Sequence, residues 1–211
     1  MISRRKDDIM GKRNDMTCTI LLIVINVVVF FYLSFGGMTE DGYYMLEHGA
    51  MYVPYFLEGK EYYRIISCMF LHFGFDHLMN NMLTLGILGR YLEPVIGKGK
   101  FLAVYFISGL GGSALSIASE VFSGEYYVSA GASGAIFGLT GALLCLTILN
   151  HGKIPAISTQ RMFLMAGISL YNGFVSEGVD NFAHLGGLFC GFLVIYIISL
   201  QQYRKDCSNI F

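Results

Sequence analysis

The sequence predicts an all-α membrane protein of six transmembrane helices with both termini cytoplasmic, and three observations predict it. Of 211 residues, 55% are hydrophobic and only 14% charged, where soluble domains carry roughly 25% charged residues. The apolar residues gather into six runs near the length of about 20 that a bilayer core demands. The basic residues fall almost wholly on one side of the spans so defined.

The runs are 18–35, 77–92, 101–121, 133–150, 162–176 and 182–203. The second and fifth are short and carry polar residues. With the N-terminus inside, segments 1–17, 90–100, 150–161 and 204–211 face the cytoplasm. They hold Arg4, Arg5, Lys6, Lys12, Arg13, Arg90, Lys98, Lys100, Lys153, Arg161, Arg204 and Lys205. Of the 14 basic residues only Lys60 and Arg64 remain outside, and that asymmetry sets the orientation. The chain divides accordingly into a cytoplasmic segment 1–17, one membrane domain 18–203 and a cytoplasmic tail 204–211. A basic start before an apolar run also fits a signal peptide. Here the run is long for one and Gly36-Gly37-Met38 is a weak cleavage site, so it is kept as a span.

The first outer loop, roughly 36–76, is long and rich in tyrosine and methionine. Tyrosine belongs at headgroup level, so this loop is expected to lie in the outer leaflet. Cys18, Cys68, Cys145, Cys190 and Cys207 form no CxxC pair and are read as packing residues. Five histidines raise the question of zinc. His72 and His77 do not share a helical face and no HExxH spacing occurs, so no metal is expected. No cofactor or nucleic-acid partner is expected either.

Chemistry gathers at three places. Ser133, in Gly131-x-Ser133-Gly134-x-x-x-Gly138, stands where an outer loop enters the fourth span. A helix start offers unpaired N–H groups and partial positive charge to an oxyanion. Serine and glycine are also ordinary packing residues in membrane helices. His184 lies at the outer end of the sixth span, at the depth of Ser133, and an intramembrane histidine is a functional signal by default. Gly134, Gly138 and Ala142 repeat every four residues on one helix, as Ala183, Gly187 and Gly191 do on the other. Small residues at that spacing let two helices approach closely enough for a serine–histidine hydrogen bond. His77 and Asn81, spaced i and i+4, project from one face of the second span. They suit an oxyanion site, and equally an interhelical polar contact, with Asp76 or Asn80 capping the helix. Asp180, four residues before His184, is placed either to brace the imidazole or to cap the helix; a dyad without it is favoured.

Four motifs in order, Tyr63-Arg64, His77-x-x-x-Asn81, Gly131-x-Ser133-Gly134 and Asn181-x-Ala183-His184, give a chain that resembles the rhomboid family of intramembrane serine proteases. The resemblance covers nearly the whole sequence and implies a rhomboid-like six-helix bundle. It implies that Ser133 is the nucleophile, His184 the general base, and that His77 and Asn81 line the oxyanion hole. Gly131 helps shape the site. Phe137 stands where many rhomboids carry a tyrosine against the histidine ring. The implied partners are the lipid bilayer and single-span membrane proteins, cut near the outer end of their span after a small residue. The implied location is a bacterial inner membrane. Glycine or proline that loosens the substrate helix exposes its carbonyls, and the loop 171–181, with Gly173 and Gly178, is expected to act as a lid. A catalytically silent binding protein of the same fold is the alternative. A transporter fits less well, since the polar cluster occupies only the outer half of its spans.

Overall fold

The computed structural model describes residues 15–150, 158–175 and 178–208. The predicted cytoplasmic charges Arg4, Arg5, Lys6, Lys12, Arg13 and Lys153 lie outside the described residues. Within them the regular secondary structure is helical, apart from one isolated bridge between Met51 and Ser129. The long elements are α1 (Thr17–Gly36), α5 (Gly74–Ile96), α6 (Lys98–Ser123), α7 (Ser133–Leu149), α8 (Thr159–Val175) and α9 (Asn181–Ser208). Between α1 and α5 run three short helices, α2 (Gly42–Glu47), α3 (Val53–Leu57) and α4 (Arg64–Ser67), then a 3₁₀ turn at Cys68–Phe70.

By length and composition, three helices are able to cross a membrane: α1, α6 and the Asn181–Gln202 part of α9. α7 has 17 residues and at 1.5 Å per residue reaches only about 25 Å, short of a hydrocarbon core of about 30 Å. α5 begins three residues earlier and ends four residues later than the apolar run that announced it. Pro94 falls in its last turn, and Gly97, at φ 81°, turns the chain directly into α6.

The burial pattern is that of a membrane protein. On α1 the outward face exposes Ile20, Leu21, Val24, Val28 and Phe31, while Thr19 and Asn26 are buried with Leu22 and Phe30. Without water to compete, polar groups turn inward and find partners. Glu93 is the strongest case. Its carboxylate, 1% exposed, accepts from the N–H groups of Cys18 and Thr19, both at 2.8 Å, and from Thr19 Oγ1 at 2.7 Å. It thus caps the start of α1 from a neighbouring helix, satisfying donors that a helix N-terminus leaves free. The far end of α5 thus carries a buried carboxylate. Glu93 lay just beyond the predicted run, and only the tertiary approach of α1 buries it.

The segment between α1 and α5 is organised by Arg64, 3% exposed. Its guanidinium donates to the carbonyls of Leu46 and Ala50, both at 2.7 Å, and pairs with Glu61 at 2.6 Å. It also packs near the rings of Tyr55 and Tyr63. The Tyr63 hydroxyl first, then Arg64, hold the Glu61 carboxyl below its usual range. A lowered carboxylate pKa means the interaction is complete at neutral pH and is lost only as pH falls through that lowered value.

Three helices meet at the centre: α9 packs against α7 and α6, and α6 against α7. They touch backbone to backbone. A Cβ on Gly187 would lie 1.9 Å from the Gly134 carbonyl oxygen, and one on Gly191 1.9 Å from that of Gly138. A Cβ on Gly112 would lie 2.6 Å from the Ala183 carbonyl oxygen. The predicted α7–α9 faces are real; the contribution of α6 through Gly111 and Gly112 went unread. Gly191→Ala is expected to destabilise the protein by about 1–3 kcal/mol, the cost of overpacking, measured as a lower thermal midpoint in detergent. Gly42→Ala, where nothing lies within 4 Å of the added carbon, is expected to leave the midpoint unchanged.

Candidate active site

Ser133 is the first residue of α7 and His184 lies in the first turn of α9. The glycine contacts bring these helix starts together, and His184 Nε2 lies 2.9 Å from Ser133 Oγ. With the ring proton on Nδ1, Nε2 is free to accept from the serine hydroxyl. His184 is 8% exposed, and among the described residues its Nδ1 has no hydrogen-bond partner. The ring is held instead by Phe137, stacked at 4.2 Å between centroids and 15° between planes. Phe137 lies four residues after Ser133, on the same face of α7.

Asp180 resolves to the capping role. Its Oδ1 accepts from the Ala183 N–H at 2.9 Å, the usual bond of an N-cap aspartate. No carboxylate reaches the imidazole among the described residues.

His77 sits in the first turn of α5, half-buried, beside Gly131. A Cβ on Gly131 would lie 2.9 Å from His77 Cε1 and 3.0 Å from Nε2, and Gly131 has φ +147°. Asn81, 6% exposed, donates from Nδ2 to the His77 carbonyl at 3.1 Å. His77, Asn81, Ser133 and His184 all line one cavity of about 660 Å3. Gly131 lies beside His77, between the lining residues Ala130 and Ser133. Asp76 falls within the first turn of α5, where the N-cap residue, Phe73, makes no side-chain bond.

The sequence spacing did not reveal one contact. His72 and His77 do not share a helical face, yet their rings meet edge-on at 5.2 Å. His72 is in the loop before α5, which folds back over the helix start. Burial first, then His77, pushes its imidazole down to about 3, so it is neutral near pH 7. Among the described residues no three His, Cys, Asp or Glu side chains form a metal-ligand set.

The segment before Ser133 is held by contacts that left no trace in local sequence. Met51 and Ser129 exchange backbone hydrogen bonds at 2.8 and 3.0 Å, and Gly131 N–H donates to the Cys68 carbonyl at 2.9 Å. The segment 171–181, read as a loop from the sequence, is helical at its start. α8 continues through Val175, and Gly173 lies inside it against Asn181 Oδ1, which a Cβ would approach to 2.3 Å. Gly178, at φ +74°, is open.

The Rhomboid domain profile covers residues 59–201. This chain belongs to the rhomboid family. It is 36% identical over 186 residues to Rhomboid protease GluP of Bacillus subtilis (strain 168), covering 88% of this chain and 36% of that protein. It is 43% identical over 152 residues to RHOMBOID-like protein 5 of Arabidopsis thaliana, covering 70% of this chain and 48% of that one. RHOMBOID-like protein 4 of the same plant is 39% identical over 159 residues. The chain thus spans less than half the length of these rhomboid relatives.

Gly131→Ala is expected to push the His77 ring aside and to strain a left-handed backbone, costing about 1 kcal/mol. Altered His77 ring-proton shifts with a modestly lowered melting temperature would register this.

Proposed function

We propose that this chain is an intramembrane serine endopeptidase that cleaves single-span membrane proteins near the outer end of their transmembrane segment. The observation that carries the reading is the 2.9 Å contact between Ser133 Oγ and His184 Nε2 at the start of two packed helices. In this reading the six long helices make up the membrane domain, residues 18–203, with the short α7 starting at the cavity below the outer surface, and both termini are cytoplasmic. The Lys and Arg asymmetry supports that orientation. The proposed location is a bacterial inner membrane.

Ser133 Oγ attacks the scissile carbonyl carbon as its proton passes to His184 Nε2. The new oxyanion takes hydrogen bonds from the Ser133 N–H, His77 and Asn81. Collapse breaks the C–N bond, and the amine leaves with the proton from His184. Water, deprotonated by the same imidazole, then releases the acyl group and restores Ser133. Phe137, stacked on the imidazole, fixes the plane of the ring. The polar cavity supplies the water that a bilayer excludes, and the substrate must unwind to present its carbonyl.

The test is cleavage of a tagged single-span substrate in liposomes, with fluorophosphonate labelling alongside. Ser133→Ala and His184→Ala are expected to abolish both. His77→Ala is expected to lower kcat by about 10²–10³, the usual effect of losing one oxyanion donor. Equal cleavage by wild type and Ser133→Ala would refute the reading. Substrate capture without cleavage or labelling by the wild type would assign the chain to a silent binding role instead.

A further inference from the structure

Asp180 does not touch the His184 ring, yet it holds the first turn of the helix that carries it. Oδ1 accepts from the Ala183 N–H at 2.9 Å, and the Asp180 carbonyl accepts from the His184 N–H at 3.2 Å. The second carboxylate oxygen, Oδ2, accepts from Ser116 Oγ at 2.5 Å. Ser116 belongs to α6 and is 5% exposed. One turn earlier on α6, Gly112 lies against the Ala183 backbone. The start of α9 is thus pinned to α6 by a backbone contact and a hydrogen bond one turn apart.

This matters because of what the imidazole lacks. In a Ser-His-Asp triad a carboxylate on Nδ1 fixes the ring. Here Nδ1 has no partner among the described residues; Phe137 holds one face of the ring and the backbone beneath sets its position. Misplacing a catalytic group by about 1 Å can cost 10²-fold in rate. We infer that Asp180 and Ser116 form a latch that positions His184 by fixing the first turn of α9 against α6. Asp180 acts through hydrogen bonds to backbone and hydroxyl rather than through its charge. The inference rests on the reading of Ser133 and His184 as the catalytic pair.

An asparagine fits the latch: its Oδ1 accepts from Ala183 N–H while its Nδ2 donates to Ser116 Oγ. Asp180→Ala, Asp180→Asn, Ser116→Ala and the double alanine variant are compared with wild type and Ser133→Ala in liposomes. The readouts are kcat, KM and fluorophosphonate labelling rate, each normalised to the folded fraction. Asp180→Ala is expected to lose roughly 10-fold or more in kcat and labelling while KM stays near wild type. Asp180→Asn restores both, Ser116→Ala falls between, and the double variant is no worse than Asp180→Ala alone. Wild-type labelling by Asp180→Ala overturns the latch. A loss in Asp180→Asn equal to that in Asp180→Ala does so too, by assigning the effect to charge, as do single losses that multiply in the double variant. An unlabelled wild type instead removes the catalytic reading, and the latch with it.

Discussion

Direct backbone contact between α7 and α9 is the constraint from which the rest of the site follows. Gly187 and Gly191 lie so close to the carbonyls of Gly134 and Gly138 that a methyl group would overlap them. Association of helices in lipid is driven by packing and polar contacts rather than by exclusion of water. Glycine at these positions sets the separation, and the separation puts Nε2 within hydrogen-bond reach of Oγ. Any spacer between these helices would leave the same residues in the same sequence with no dyad.

A second constraint acts from the side. The chain between Gly124 and Ser133 has no helix of its own, so its course depends on neighbours. Arg64 holds the Ala50 carbonyl, Met51 pairs with Ser129, and Cys68 receives the Gly131 N–H. These links carry the order of the α2–α4 segment to the residues just ahead of Ser133. They also leave Gly131 with no room for a side chain beside His77. The aromatic-arginine pair, distant in sequence from the serine, is in this way part of the support of the cavity.

Much of the site was legible in the sequence because the chemistry constrains residue type and the bilayer constrains position. Ser133 and His184 stood out as polar residues at one depth, and the four-residue spacing of small residues named the faces that meet. Other features left weaker signals. The Ser116 hydroxyl that binds Asp180 looks like any small residue in a membrane helix. The His72–His77 contact violates helical spacing because His72 is not helical. The Met51–Ser129 bridge is a backbone interaction to which side-chain identity is nearly indifferent.

The sequence by itself determined the helical class, the extents of the long helices to within a few residues, the family resemblance and the pairing of α7 with α9. Periodicity, hydropathy and glycine spacing are local quantities, readable along one strand of text. Only the tertiary structure decided that α6 joins that pair, that Glu93 caps α1, and that Asp180 closes a helix start instead of bracing an imidazole. Those choices depend on which donors and acceptors arrive beside one another after packing. No local pattern records the arrival of a partner 64 or 74 positions away in the chain.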